Sequence, residues 1–256
     1  MNGELRNLIK ITCLFKICMR MRLIMRGGGL SLNYNHLVQA AIYRNISPEL
    51  ARFLHDRGFL YGKRAFKLFT FSRLLGPYRV KGGRIFFDGE VSLYVSSCVE
   101  RFIKEIANSM VKRGGLFLGD SEWEVIGLEF PRRPEISNEV KIRMLSPMTV
   151  YSTLSTPDLK KKTYYYSPYE KEFRKLIDSN AKKKHLISHN KDIKSSLTIR
   201  PLKVREVVLM YKDTVVKGWL GFFTLKGPKT LIETVYDVGL GSKNPQGFGM
   251  FEVLKK

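Results

Sequence analysis

Four glycines fall within eleven residues near the end of the chain, in Gly239-Leu240-Gly241-Ser242-Lys243-Asn244-Pro245-Gln246-Gly247-Phe248-Gly249. Each glycine costs backbone entropy on folding and brings no side chain to offset it. That density is tolerated where the main chain must take a positive φ, or must approach another group more closely than a Cβ allows. Two readings of the segment stay open from spacing alone. One is a tight turn before a last strand. The other is a loop that packs its backbone against nucleic acid, with Lys243 among exposed N–H groups that cradle phosphate. The spacing is not that of a P-loop, which would end in Gly-Lys-Ser/Thr.

Charge narrows the partner. The 256 residues carry 45 Lys and Arg against 23 Asp and Glu, a formal net charge of +22. Like charges repel in the folded state, so an excess of this size points to a polyanion outside the fold. Nucleic acid ranks ahead of an anionic membrane, because no long basic amphipathic helix stands alone. Cys13, Cys18 and Cys98 have neither metal-ligand nor redox spacing, which fits a reducing, cytoplasmic compartment. His36, His55, His185 and His189 form no zinc pattern. Leu8 to Cys18 is apolar but interrupted by Lys10 and Lys16, too short to span a bilayer, and followed by no small-residue cleavage site. Residues 1–18 are therefore expected to lie outside the fold.

Periodicity then predicts an α+β protein in two halves. In the first, strands are expected at Arg22–Met25, Lys67–Ser72, Arg84–Phe87, Val91–Val95 and Val125–Glu129, with Arg26–Leu32 a loop. Helices are expected at Asn35–Asn45, at Ser47 to about Arg57, and at Val99–Val111. Ser47-Pro48 supplies an N-cap followed by proline at the first helical position, and Gly58 ends that helix. In the second half Lys141–Met144, Leu197–Met210, Val216–Thr224 and Phe248–Leu254 read as strands. Pro168–Asp178 and Pro228–Val238 read as helices, and Lys182–Lys194 as a basic loop. The boundary is placed at Asn138, giving halves of 19–138 and 139–256. Each half mixes strands and helices, as a sheet with helices on one face would.

The segment Val238 to Met250 resembles the C-terminal glycine signature of the CRISPR repeat-processing endoribonucleases, in the repeat-associated mysterious protein superfamily. Tyr34-Asn35-His36 and Ile42-Tyr43 resemble that family's first helix, and Lys67 to Ser72 its next strand. Leu145-Ser146-Pro147 resembles the opening of its second domain, and Glu170 to Phe173 a helix there. The resemblance runs from about Met19 to the end. It implies two tandem ferredoxin-like (RRM-like) domains. It also implies metal-independent cleavage of precursor CRISPR RNA within each repeat, leaving a 5′-hydroxyl and a 2′,3′-cyclic phosphate. No cofactor is implied. The implied partners are the RNA repeats and the subunits of an interference complex, with room for a homodimer and no membrane. Two other classes remain, a non-cleaving binder of repeat RNA and a structural subunit of an interference complex.

Attack of a ribose 2′-OH on its own phosphate needs a proton acceptor, a proton donor for the leaving oxygen and positive charge beside the phosphorane. Carried over by the resemblance, these roles fall on Tyr43, His55 and Lys67. Tyr43 is expected to position or deprotonate the 2′-OH, with positioning its main role because a phenol is a poor base at neutral pH. His55 is the general acid and Lys67 the cation. Helical geometry points His55 away from the Leu50, Phe53, Leu54 stripe. His36, seven residues before Tyr43 on nearly the same face, is a competing catalytic candidate; as a plain helix-start residue it would bond local backbone. Lys67 is expected on one strand face with Phe69 and Phe71. Lys63 and Arg64 could take the cationic role or bind RNA, and Gly239, Gly241, Lys243, Asn244, Gly247, Phe248 and Gly249 of the tail are expected to bind RNA.

Overall fold

The computed structural model describes residues 19–155 and 161–254. The expected extension over residues 1–18, with Cys13 and Cys18, lies outside the described residues, as does Lys160.

Two antiparallel sheets organise the chain. The first is built from β1 (Met19–Arg26), β2 (Phe69–Phe71), β3 (Glu90–Ser97), β4 (Gly115–Leu118) and β5 (Ser121–Glu129), in the order β2-β3-β1-β5-β4. Met21, Leu23 and Met25 alternate along β1 and are fully buried. They meet Val38, Ala41 and Ile42 of helix α1 (Asn35–Arg44) and Phe102, Ile103, Ile106 and Met110 of helix α3 (Glu100–Arg113). A period-2 strand face thus packs on two period-3.6 helix faces. Between these helices runs the short α2 (Pro48–Arg52), capped by Ser47, whose hydroxyl accepts from Leu50 N.

The second sheet contains β6 (Glu139–Met144), β7 (Thr198–Tyr211), β8 (Thr214–Lys226) and β9 (Phe251–Val253), in the order β7-β8-β6-β9. Helices α4 (Lys171–His189) and α5 (Lys229–Val238) cover it, with Phe173, Ile177, Leu231, Ile232 and Val235 meeting Ile142, Phe223 and Leu225. In both sheets the first strand in sequence lies between the third and the last. Strands β7 and β8 extend as a long hairpin beyond the sheet, with Tyr211 paired to Thr214 at its tip.

Several expectations are corrected. Gly29–Ser31, within the expected loop, is a strand paired with Arg84–Phe87. The expected strand from Lys67 is only Phe69–Phe71, because Leu68 takes φ 53° and breaks the extended run. All three β2 residues are buried, since the glycine segment covers their second face: Thr70 Oγ1 donates to Phe248 O at 3.0 Å. The helix entered at Ser47 turns into a π-helical turn at Phe53–Arg57, closed by Gly58 N donating to Phe53 O. Lys182 to His189 is helical rather than loop, because Ala181, Lys184 and His185 are buried on the same face of α4 as Ile177. The last strand begins at Phe251; Phe248 to Met250 belong to the glycine segment.

The two sheets meet through that segment. Asn35 Nδ2 donates to Gln246 O at 2.9 Å, and Gln39 Nε2 to Pro245 O at 2.6 Å. The buried Arg20 of β1 donates to Phe251 O at 2.8 Å and Tyr236 O at 2.7 Å. A Cβ on Gly247, where φ is 83°, would lie 2.5 Å from Phe71 Cε2. Glycine is therefore required there by close approach to the other half.

Candidate active site

Asn35, Gln39 and Tyr43 recur every four residues along α1 and so form one stripe. The first two grip the glycine segment, and Tyr43 continues the stripe into an open cleft of about 420 Å³ between the halves. From the N-terminal half the cleft is lined by Gln39, Tyr43, His55 and Lys67. From the C-terminal half it is lined by Tyr211, Lys212 and Thr214 of the hairpin tip and by Lys243, Pro245 and Gln246 of the glycine segment.

His55 sits on the π turn with its side chain 76% exposed. Its Nδ1 lies 2.7 Å from Asp56 Oδ1, so the carboxylate takes that N–H and leaves Nε2 as the nitrogen that exchanges a proton. The Tyr43 ring meets the imidazole edge-on, with centroids 6.1 Å apart, and packs on Phe69 behind. Lys67 Nζ donates to His55 O at 2.8 Å, which ties the cation to the turn that carries the imidazole. Gly58 makes room for this arrangement: a Cβ there would lie 2.6 Å from Phe66 O and 3.0 Å from Lys67 Cδ.

Burial sets the protonation of the cleft. It pushes the Tyr43 hydroxyl up to about 12, with Tyr211 adding to the rise. It pushes Tyr211 up to about 12 as well. Both phenols are therefore hydrogen-bond donors at neutral pH. Burial lowers the pKa of Lys67, opposed by the nearby Asp56, and lowers that of Lys243. An imidazole, two protonated phenols and several amines in one open cleft can bind an anion and move a proton beside it. Among the described residues, no three His, Cys, Asp or Glu side chains are grouped to hold a metal ion.

Tyr43, His55, Lys67 and Lys243 are thus brought together. His36 is not among the cleft residues; its Nδ1 lies 2.9 Å from Asn33 O, at the start of the helix. Lys63 and Arg64 are exposed on the hairpin formed by Phe59–Tyr61 and Arg64–Phe66, outside the cleft lining. The glycine segment is corrected in one respect: most of its N–H groups are not exposed. Leu240 N donates to Gly249 O, Ser242 N to Thr149 O, Gly247 N to Asn244 O and Gly249 N to Pro147 O. Gly239, Gly241, Asn244, Gly247, Phe248 and Gly249 are buried. The buried Lys184 of α4 donates to Gly239 O, Gly241 O and Asn244 Oδ1 at 2.7, 2.8 and 2.7 Å.

Gln39, Tyr211, Lys212 and Thr214 were not found by sequence reasoning. Gln39 carried a signal, its four-residue spacing from both Asn35 and Tyr43. The hairpin tip carried none, since nothing local tells where a long hairpin ends in space. Among the described residues, no helix is long and apolar enough to cross a membrane.

Residues 29–130 match the family described as CRISPR-associated protein Cas6, N-terminal, and residues 130–253 match CRISPR associated protein Cas6, C-terminal. The chain is 31% identical over 224 residues to CRISPR-associated endoribonuclease Cas6 1 of Methanocaldococcus jannaschii, covering 85% of each chain. It is 27% identical over 228 residues to CRISPR-associated endoribonuclease Cas6 of Pyrococcus furiosus, covering 86% of this chain and 82% of that one. A solved structure described as CRISPR associated protein Cas6 superposes with a TM-score of 0.78 at 27% identity, over 93% of this chain and 100% of the other.

Proposed function

The chain belongs to the CRISPR-associated Cas6 family, and from that premise we propose that it cleaves precursor CRISPR RNA within its repeats as a metal-independent endoribonuclease. The observation that carries this reading is the meeting of Tyr43, His55 and Lys67 at one open cleft between the halves. The 2′-OH ahead of the scissile phosphate attacks phosphorus, its proton passing to solvent water in the open cleft, and the 5′-oxygen leaves. A 2′,3′-cyclic phosphate and a 5′-hydroxyl result. Tyr43, protonated at neutral pH, orients the 2′-OH by hydrogen bonding. His55 gives a proton to the leaving oxygen, and Lys67 stabilises charge on the phosphorane.

Two tandem ferredoxin-like domains, 19–138 and 139–256, frame this cleft; the strand order of the two sheets supports that division. The glycine segment holds the RNA strand beside the cleft through Lys243, and exposed Lys63 and Arg64 add phosphate contacts. The product passes to an interference complex.

Cleavage of the cognate repeat RNA in excess EDTA tests the reading. Cutting should persist in EDTA and vanish with a single 2′-deoxy substitution at the scissile ribose. His55→Ala should slow it by about 100-fold or more, within the range of general acid catalysis. His36→Ala should leave it nearly unchanged. Binding without cutting would make the chain a non-cleaving RNA binder instead.

A further inference from the structure

The turn between β7 and β8 consists of two residues, Lys212 and Asp213. Lys212 takes φ 51°, a conformation for which such turns favour glycine, asparagine or aspartate. Among the described residues, four that are not glycine have positive φ: Leu68, Asn190, Lys212 and Lys243. Asn190 ends α4, an ordinary place for it. The other three surround one cleft: Lys212 and Lys243 line it, and Leu68 follows the cleft residue Lys67. Leu68 packs in the core, but Lys212 and Lys243 hold positive φ with their side chains lining the cleft, which marks those two as kept for a purpose other than packing. Neither Lys212 nor Lys243 forms an ion pair among the described residues.

The frame that carries Lys212 is fixed. The buried Tyr211 donates its hydroxyl to Gln39 Oε1, and Met210 N donates to Asn33 Oδ1 at 3.1 Å. The tip is thereby latched to α1, one turn from Tyr43. Lys243 is steadied too, with its Nζ 5.1 Å from the Tyr151 ring centroid.

We propose that Lys212, together with Lys243, binds the scissile phosphate from the C-terminal side of the cleft, opposite Tyr43, His55 and Lys67. This rests on the ribonuclease reading above. As the 2′-oxygen bonds to phosphorus, its proton passes to solvent water and charge gathers on the non-bridging oxygens. The P–O5′ bond then breaks, and the 5′-oxygen takes a proton. Ammonium groups on both sides of the phosphate bind that charge more tightly in the transition state than in the ground state. Lys67 alone serves only one side.

Lys212→Gly is the discriminating variant, because glycine suits φ 51° better than lysine. It should unfold at no lower temperature than the wild type. Its single-turnover cleavage of saturating repeat RNA should nevertheless fall by about 10–100-fold, in the range of losing one oxyanion-stabilising donor. Affinity for repeat RNA with a 2′-deoxy scissile ribose should change by less than about three-fold, since most affinity comes from many phosphate contacts. Lys212→Arg should restore most of the rate. Lys226→Ala, at the far end of β8, should have no effect on the rate. If Lys212→Gly cleaves at the wild-type rate, or only binds more weakly, the proposal is overturned and the ribonuclease reading stands. A wild-type protein that binds and does not cleave would overturn both.

Discussion

His55 and Asp56 are consecutive residues whose side chains bond to one another, with Nδ1 2.7 Å from Oδ1. A π turn makes this possible, because its wider winding sets neighbouring side chains at a smaller angle than an α-helix would. The carboxylate takes one face of the imidazole and orients the other. Both side chains are well exposed, at 76% and 64%, so solvent weakens their attraction. Asp56→Asn should therefore slow cleavage only by about two- to five-fold, the range of an exposed ion pair. Asp56→Ala should do the same, measured as single-turnover rate at saturating RNA. A loss near that of His55→Ala would mean that Asp56 acts on the RNA itself.

That π turn also shows how far the sequence could be read. Ser47, Pro48 and Gly58 announce both ends of the helix in local chemistry, and both ends are where they should be. The change of winding inside it depends on packing of Leu54 and on Gly58 reaching back to Phe53, which no local pattern encodes. Tyr43 and His55 came from the resemblance to the processing endoribonucleases, and helix geometry added only that each points away from its helix's apolar side. Lys67 came from the same resemblance, and no local pattern announced the positive φ of the Leu68 that follows it. Lys184 was misread for a related reason. A run of three lysines looks solvated until the carbonyls that bury one of them are in place.

Tyr43 and Tyr211, both pushed up to about 12 by burial, make the fold sensitive to alkali. A tyrosine in the unfolded chain loses its proton near pH 10. Between about pH 10 and 12 the unfolded chain has lost protons that the folded chain still holds, so stability falls as pH rises through that window. Below pH 10 these two groups contribute no slope. Urea denaturation should show the decline, and Tyr43→Phe should make it shallower without moving its onset. Tyr43→Phe should also leave the pH dependence of cleavage unchanged between pH 7 and 9 while lowering its rate. A rate that climbs with pH in the wild type and not in Tyr43→Phe would instead make Tyr43 a base.

Lys184 is 2% exposed, and its three acceptors match the three donors of an ammonium group. None of them is a carboxylate, and burial holds its pKa well below the usual lysine range. Removing the amine would strand two carbonyls and the Asn244 amide oxygen inside the protein. Lys184→Met should destabilise the fold by about 1–3 kcal/mol, the cost of leaving buried acceptors without a donor. Lys175→Met, on the exposed side of the same helix, should cost within about 0.5 kcal/mol. Urea midpoints at constant slope measure both. Equal effects would show that the Lys184 contacts contribute nothing net.

Gly247 tests how the halves hold the cleft together. It combines φ 83° with two close neighbours from the first half, Phe71 Cε2 at 2.5 Å and Asn35 Nδ2 at 2.7 Å from an added Cβ. Gly62 has a comparable φ of 54° and open space around it. Gly62→Ala should therefore show only the left-handed penalty, about 1–2 kcal/mol. Gly247→Ala should carry that penalty and an overpacking cost of about 1–3 kcal/mol besides. The extra strain falls on the contact that seats the glycine segment against Asn35 and β2, so it displaces Lys243 and Gln246 from the cleft opposite Tyr43. Cleavage should drop in Gly247→Ala beyond what its lowered stability explains, when measured well below its unfolding midpoint. Gly62→Ala should cleave at nearly the wild-type rate. If the two variants prove alike in stability and in rate, the glycine segment is not what positions the C-terminal wall of the cleft.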